Sequence, residues 1–389
     1  MPTLTLFGGK PAYTPAYPLW PIAREKDLKA VLSADPFLTD GPISRRFART
    51  FAEFCECGFC LPVANGTVSL QLILEALGIG KGDEVILPPY TFIATLSSIV
   101  FVGATPVFAD IDPKTYNLDP EDAASKITPR TKAIVPVAIG GHPCDFDRFE
   151  SLCKDKGIAL IVDAAQAVGA RCGGRSIGSY GVAASFSCQN TKNLTAGEGG
   201  LITTNDEAFF HRLHELAEQE GHLLGEMQAA LLESQFDKLP AEIERRSRSA
   251  ALLDELLEED PFVSPMEKNG FVDVHAYHLY LFRLDYQKLA DYSLTRADYL
   301  KALCAEGVPA GTGYMPLYTF PSVDTEDVHR LIGGTIDLTP LPHTETASRL
   351  EGGWFEQFIL LEEEDKIREV AEAFRKVSSA IIEKGGLQP

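Results

Sequence analysis

The sequence predicts an α/β fold: a large domain on a mostly parallel central sheet, then a smaller C-terminal α+β domain. Three observations predict it. Short β-branched runs alternate with amphipathic stretches over the first 205 residues, long charged helical stretches take over from residue 226, and polar, often glycine-containing segments follow the early apolar runs. Parallel neighbours need crossover connections, so strand–helix–strand alternation implies helices packed over a parallel sheet. With 389 residues the chain has room for two to three domains.

Along the chain, 84–87, 105–109, 133–137 and 159–162 read as buried strands, with helical patterns at 68–77, 97–102, 120–126 and 146–156. Residues 183–187 and 201–204, separated by a glycine-rich segment, read as later strands of the same layer. The helical stretch 226–258 is interrupted at Pro240, because proline ends or kinks a helix. Beyond it, 278–284 reads as a strand and 295–306 as a helix. Residues 363–384 read as a helix with acidic residues first and basic ones later, in agreement with the helix dipole. Residues 350–361 are poorly patterned. The division expected from these patterns is a large domain, 1–242, and a small one, 243–389.

Composition narrows the function classes. Lys and Arg number 35 against 55 Asp and Glu, a net charge of −20, which speaks against a nucleic-acid or anionic-membrane partner. A small anionic ligand stays open, because a local donor cluster overrules net charge. No apolar run reaches the ~18 residues of a membrane span, and residues 1–10 lack a charged segment followed by an apolar one, so a cytoplasmic location is expected. Cys57 and Cys60 have the spacing of a metal-binding pair, with Cys55 close by, but no second pair follows. Reduced thiols and no metal are expected.

Ligands of open parallel sheets sit beyond the carboxyl ends of the strands. Asn65-Gly66-Thr67 opens a helix there, offering backbone N–H groups that either are simply capped or hold a phosphate. Asp163 ends the apolar run Ile161-Val162. Such a carboxylate caps the next helix or pairs with a cationic heterocycle. Lys192 lies between two strands beside the turn Gly197-Glu198-Gly199-Gly200. Most lysines are solvated surface charges, but one in a desolvated site loses pKa and becomes a Schiff-base nucleophile. Phosphate donors, a buried carboxylate and a strand-end lysine, in this order, are what pyridoxal 5'-phosphate requires.

At these segments the sequence resembles the DegT/DnrJ/EryC1/StrS sugar aminotransferases. The resemblance is carried by Phe37-Leu38-Thr39-Asp40-Gly41-Pro42, Asn65-Gly66-Thr67, Gly82-Asp83-Glu84-Val85-Ile86-Leu87-Pro88, Tyr90-Thr91-Phe92-Ile93-Ala94-Thr95, Asp163-Ala164-Ala165-Gln166-Ala167 and Phe186-Ser187-Cys188-Gln189-Asn190-Thr191-Lys192. It implies the aspartate aminotransferase-like type I fold and a pyridoxal phosphate-dependent transfer of an amino group. The donor is then glutamate or glutamine, the acceptor a keto-sugar or keto-cyclitol, and the enzyme a homodimer whose sites the partner chain completes.

By the same resemblance, Lys192 forms the Schiff base and moves the proton, and Asp163 pairs with the pyridinium nitrogen. Gln166 touches the ring hydroxyl, Gly66, Thr67 and Ser187 hold the phosphate, and Phe92 stacks on the ring. Gln189 stands where many members have histidine; glutamine there is a trait of members acting on cyclitol ketones and of aminohydroxybenzoate synthases. Two departures stand out. Only twenty positions separate Asp206 from Glu226, so Gly221 and Leu223 fall where members have an Asn that reaches the partner's phosphate and a nearby Arg. Ala138 and Gly140 replace a His and a Tyr. Two alternatives remain open: a lyase or dehydratase of the same fold, against which Lys192 argues, and a catalytically idle paralogue acting as a binding subunit.

Overall fold

The structure, a computed structural model, describes residues 3–16 and 20–388. Its first nine strands are β1 (Phe59–Val63), β2 (Glu84–Leu87), β3 (Thr105–Phe108), β4 (Thr131–Ile134), β5 (Ala159–Asp163), β6 (Arg171–Cys172), β7 (Arg175–Ser176), β8 (Ala183–Ser187) and β9 (Gly200–Thr204). Seven of them form the central sheet in the order β1-β9-β8-β5-β4-β2-β3. From β8 to β3 the neighbours are parallel, while β9 runs antiparallel to both β8 and β1. The predicted α/β fold with a mostly parallel central sheet is therefore present.

The sheet separates two cores, because successive residues of a strand point to opposite faces. Ile86, Leu160 and Val162 pack with Phe47, Phe51 and Phe149 on one side. Val85, Leu87 and Ile161 pack with Leu70, Ile73, Leu96 and Leu213 on the other. Helices Pro42–Phe54 and Phe146–Lys156 thus cover one face, and Gly66–Ala76, Ile93–Phe101 and Glu207–Gln219 the other.

Several boundaries move for identifiable reasons. β1 is absent from the sequence-based strands; it contains Pro62, which an edge strand tolerates. The strand expected at 133–137 closes at Ile134, two residues before Pro136, which has no N–H for the ladder, and Val137 makes only an isolated bridge to Asp163. Pro240 does not interrupt a helix. The break precedes it, between helices Glu226–Phe236 and Leu239–Leu257, and Pro240 sits in the first turn of the second, where a missing N–H costs nothing.

The remaining strands are β10 (Val263–Pro265), β11 (Val272–Val274), β12 (Leu279–Leu284) and β13 (Gly352–Glu356). An antiparallel sheet β10-β12-β13 packs with helices Arg296–Ala305 and Glu364–Lys384 around Phe282, Leu303, Phe355 and Phe374, whereas β11 pairs with β6. Helix Leu239–Leu257 runs unbroken past residue 242: Leu239 and Ile243 join one core of the central sheet, and Ala250, Leu253 and Leu257 join the small-sheet core. The amino end belongs to that second core as well, through Leu4 and Tyr13. Buried Glu306 accepts from the Thr5 and Ala12 N–H groups at 2.7 and 3.1 Å and pairs with Lys376 at 2.7 Å. Among the described residues, no helix is long and apolar enough to cross a membrane.

Candidate active site

The carboxyl ends of β1, β5 and β8 lie on one edge of the central sheet, since β1 and β8 both run antiparallel to β9 and β5 runs parallel to β8. A cavity of about 750 Å³ opens there, closed from the other side by residues of β12, β13 and the segment around Tyr314. Gly66, Thr67, Phe92, Asp163, Gln166, Ser187, Gln189 and Lys192 all line it. Residues separated by 126 positions in the chain thus meet in one place.

The first wall has the donors from which an anion cradle is built. The Asn65 side chain caps helix Gly66–Ala76 by accepting from the Val68 N–H at 2.9 Å, so the Gly66 and Thr67 amides remain for a ligand. Ser187, the last residue of β8, closes the cradle. A Cβ on Gly66 would lie 2.9 Å from the Ser187 Cβ, so only glycine lets the two elements come this close. Gly66→Ala is expected to weaken cofactor binding about tenfold with the fold retained, as read by fluorescence titration of the apoprotein; unchanged affinity would remove Gly66 from the cradle.

The second wall holds the charges. Asp163, only 3% exposed, accepts from the Thr95 hydroxyl at 2.8 Å and from the Ala165 N–H at 3.1 Å. Burial pushes its carboxyl above the ordinary range, while those two donors and the nearby Lys192 amine pull the other way. Lys192 sits in the loop between β8 and β9, which Cys188 ties down through its N–H to Gly199 and its carbonyl to Ala196. Burial lowers the lysine to about 8, opposed by Asp163 and Cys188. An amine at this value is partly uncharged near neutrality, as a nucleophile must be.

Gln166 is fixed at both ends: its carbonyl accepts from the Gly140 N–H at 2.7 Å, and its amide donates to the Tyr314 hydroxyl at 3.0 Å. Gly140 has φ of 61°, and a Cβ there would come within 2.8 Å of the Leu281 side chain, so a tyrosine at this position would strain the backbone and push Leu281 aside. Phe92 precedes helix Ile93–Phe101 and is 58% exposed, its ring available to a planar ligand. The Gln189 carbonyl accepts from the Thr191 N–H and hydroxyl at 3.0 and 2.8 Å, so this side chain braces the lysine loop as well as lining the cavity.

Sequence reasoning missed Thr95, the partner of Asp163, and four residues contributed from far along the chain: His278, Tyr314, Trp354 and Glu356. Tyr314 packs edge-on against Trp354 at 4.6 Å. His278 is buried beside Lys192 and Arg246, and burial holds its imidazole well below the usual value. Among the described residues, no three His, Cys, Asp or Glu side chains stand together as a metal site. Cys55 and Cys60 are buried, and burial raises both thiols.

Residues 22–332 match the DegT/DnrJ/EryC1/StrS aminotransferase family. The chain belongs to that family. Among related proteins, an L-glutamine:2-deoxy-scyllo-inosose aminotransferase of Streptomyces lividus is 36% identical, over 96% of this chain and 97% of its own. The spore coat polysaccharide biosynthesis protein SpsC of Bacillus subtilis is 35% identical, over 73% of this chain and 79% of its own. The crystal structure of 3-amino-5-hydroxybenzoic acid synthase superposes with a TM-score of 0.81 at 28% identity, covering 94% of this chain and 99% of that one. The fold is therefore that of the pyridoxal phosphate-dependent sugar aminotransferases, and the protein is an aminotransferase. The segment after β9 is held on its own chain. The His222 backbone carbonyl accepts from the Ala64 N–H at 2.8 Å, the Leu224 N–H donates to the Pro62 carbonyl, and Leu223 bridges Val63 on the outer side of β1.

Proposed function

We propose that this aminotransferase uses pyridoxal 5'-phosphate to move an amino group from glutamine or glutamate to a keto-cyclitol or keto-sugar. The observation that carries the reading is that Lys192 and Asp163 share one cavity with the amide cradle of Gly66 and Thr67. The residues fit the cofactor: Gly66, Thr67 and Ser187 for its phosphate, Asp163 for its ring nitrogen, Gln166 for its ring hydroxyl and Phe92 for its face. Bound there, the cofactor supplies a carbonyl carbon that exchanges amines and a ring that takes up electrons. Asp163 keeps a proton on the ring nitrogen, which its desolvated charge favours strongly. The Lys192 Nζ takes the proton from the donor's α-carbon and later delivers one to the acceptor's carbon. The donor leaves as its 2-oxo acid, and the ketone becomes an amine.

The glutamine donor and cyclitol ketone are supported by the names of the relatives and by Gln189. We further propose a homodimer in which residues 1–242 carry the cofactor and 243–389 close over it. Leu32 and Phe37 are exposed apolar side chains, and Phe92 and Phe101 at the cavity are more than half exposed, surfaces that a second copy would cover. Eight unpaired cysteines accord with a reducing, cytoplasmic setting.

The direct test is an absorbance scan. The cofactor-loaded protein is expected to absorb near the visible edge and to lose that band on addition of glutamine or glutamate; binding without any donor-driven loss would favour an idle subunit. The lowered lysine adds a pH test. Below about 8 the unreactive ammonium predominates, and above it the free amine does. The rate of covalent cofactor attachment to the apoprotein should therefore rise through about pH 8 and level off, in stopped-flow absorbance. A rate still climbing at pH 10 would mark an ordinary solvated lysine.

A further inference from the structure

The side chain of Gln166 has only one way round. Its carbonyl oxygen accepts from the Gly140 N–H at 2.7 Å, and a backbone N–H can only donate, so the amide end must face Tyr314. That amide nitrogen carries two hydrogens. One goes to the Tyr314 hydroxyl oxygen at 3.0 Å. The group is planar and held at both ends, so the direction of the second hydrogen is set as well. Gln166 is 4% exposed and lines the cavity, and this hydrogen is the donor it has left for a ligand.

Tyr314 is itself held in place. Its ring stands edge-on to Tyr90 at 5.6 Å and to Trp354 at 4.6 Å. On one side of it in the chain, Gly311 exchanges two backbone hydrogen bonds with Trp354, at 2.8 and 3.1 Å. On the other, the Leu317 N–H donates to the Pro89 carbonyl at 3.0 Å. The Arg296 guanidinium ties the same segments together, donating to the Thr312 and Gly352 carbonyls at 2.8 and 3.0 Å. Burial raises the Tyr314 phenol, so it stays a hydroxyl near neutrality. A residue 148 positions from Gln166 thus fixes the aim of the glutamine amide.

We propose that Tyr314 is a positioning residue: by accepting one Gln166 amide hydrogen it aims the other at the ring oxygen of the bound cofactor. This rests on the cofactor reading above and adds to it the residue that sets that contact. A donor on the ring oxygen favours its anionic form. It thereby favours release of the proton that this oxygen shares with the attached Lys192 nitrogen. Weakening the donor holds that proton to higher pH.

The test titrates the near-visible band of the cofactor-loaded protein against pH in wild type, Tyr314→Phe, Gln166→Leu and the double variant. Cofactor affinity of each apoprotein is measured in parallel by fluorescence titration. Phenylalanine keeps the ring contacts and removes the acceptor. Tyr314→Phe is expected to raise the midpoint of the band by about half a pH unit and to weaken cofactor binding about threefold. Gln166→Leu should raise the midpoint by about one unit. In the Gln166→Leu background the tyrosine change should add nothing, because it acts through the glutamine.

Three results overturn the proposal: an unchanged midpoint in Tyr314→Phe, an unchanged affinity in that variant, or the same upward shift in the Gln166→Leu background. The last would mean that Tyr314 meets the cofactor itself. A wild-type protein that shows no near-visible band when cofactor is added overturns the cofactor reading, and the role of Tyr314 with it.

Discussion

Lys192→Ala abolishes the near-visible band of the cofactor-loaded protein and lowers turnover by at least about four orders of magnitude. The size follows from the two tasks proposed for this one amine, covalent attachment and proton movement. The surroundings offer no substitute: Asp163 is the group proposed for the ring nitrogen, burial holds the His278 imidazole well below its usual pKa, and no other Lys or Arg among the described residues lines the cavity. The Lys192 backbone N–H, bonded to the Gln189 carbonyl at 2.9 Å, is untouched by the change, so the loop keeps its form. Circular dichroism should be unaltered. Retention of the band in the variant would mean that another amine carries the cofactor.

Asp163→Asn is the second large effect, and it acts in opposite directions on catalysis and stability. An amide cannot hold the ring nitrogen protonated, so removal of the donor's α-proton slows by about three orders of magnitude, read as the rate of band loss with glutamine. Near-normal rates would contradict the role given to the carboxylate. Stability moves the other way. Burial raises the folded-state pKa of Asp163, so its ionised form costs the apoprotein stability, increasingly as the pH rises through that raised value. Asparagine carries no such charge; its one side-chain oxygen can keep the Ala165 N–H, and its NH2 can donate to the Thr95 hydroxyl, which now accepts. The apoprotein variant should therefore melt no lower than wild type at pH 7 and lose less stability between acid and neutral pH. A clear drop in melting temperature would show that the charge is compensated in the apoprotein.

The reacting core of the site was legible because its residues sit at strand ends in chain order. Asp163 and Ser187 are the last residues of β5 and β8, and Gly66 is the first residue of a helix. Their apolar approach runs are what a periodicity reading detects, and the resemblance then gave each a role. The opposite wall was not legible. β13 begins with Gly352-Gly353, which erases the alternation that would mark a strand, and Trp354 and Glu356 acquire meaning only through pairing with β12, more than seventy positions earlier. β1 was hidden by Pro62, whose acceptability depends on the strand being at an edge, a fact of sheet order that no local window contains. Thr95 was passed over because a threonine in an apolar helix looks like filler until the carboxylate it serves is in place.

The fastening of the amino end onto the carboxyl-terminal third has a bearing on biosynthesis. Most of the core around the central sheet comes from residues 47–243, and it can begin to condense while later parts of the chain are still being made. The other core cannot. It needs Leu4 and Tyr13 from the start and Phe374 and Ile381 from the end, with Glu306 joining Thr5 to Lys376. Leu4 and Tyr13 therefore stay without these partners until the helix Glu364–Lys384 has been made.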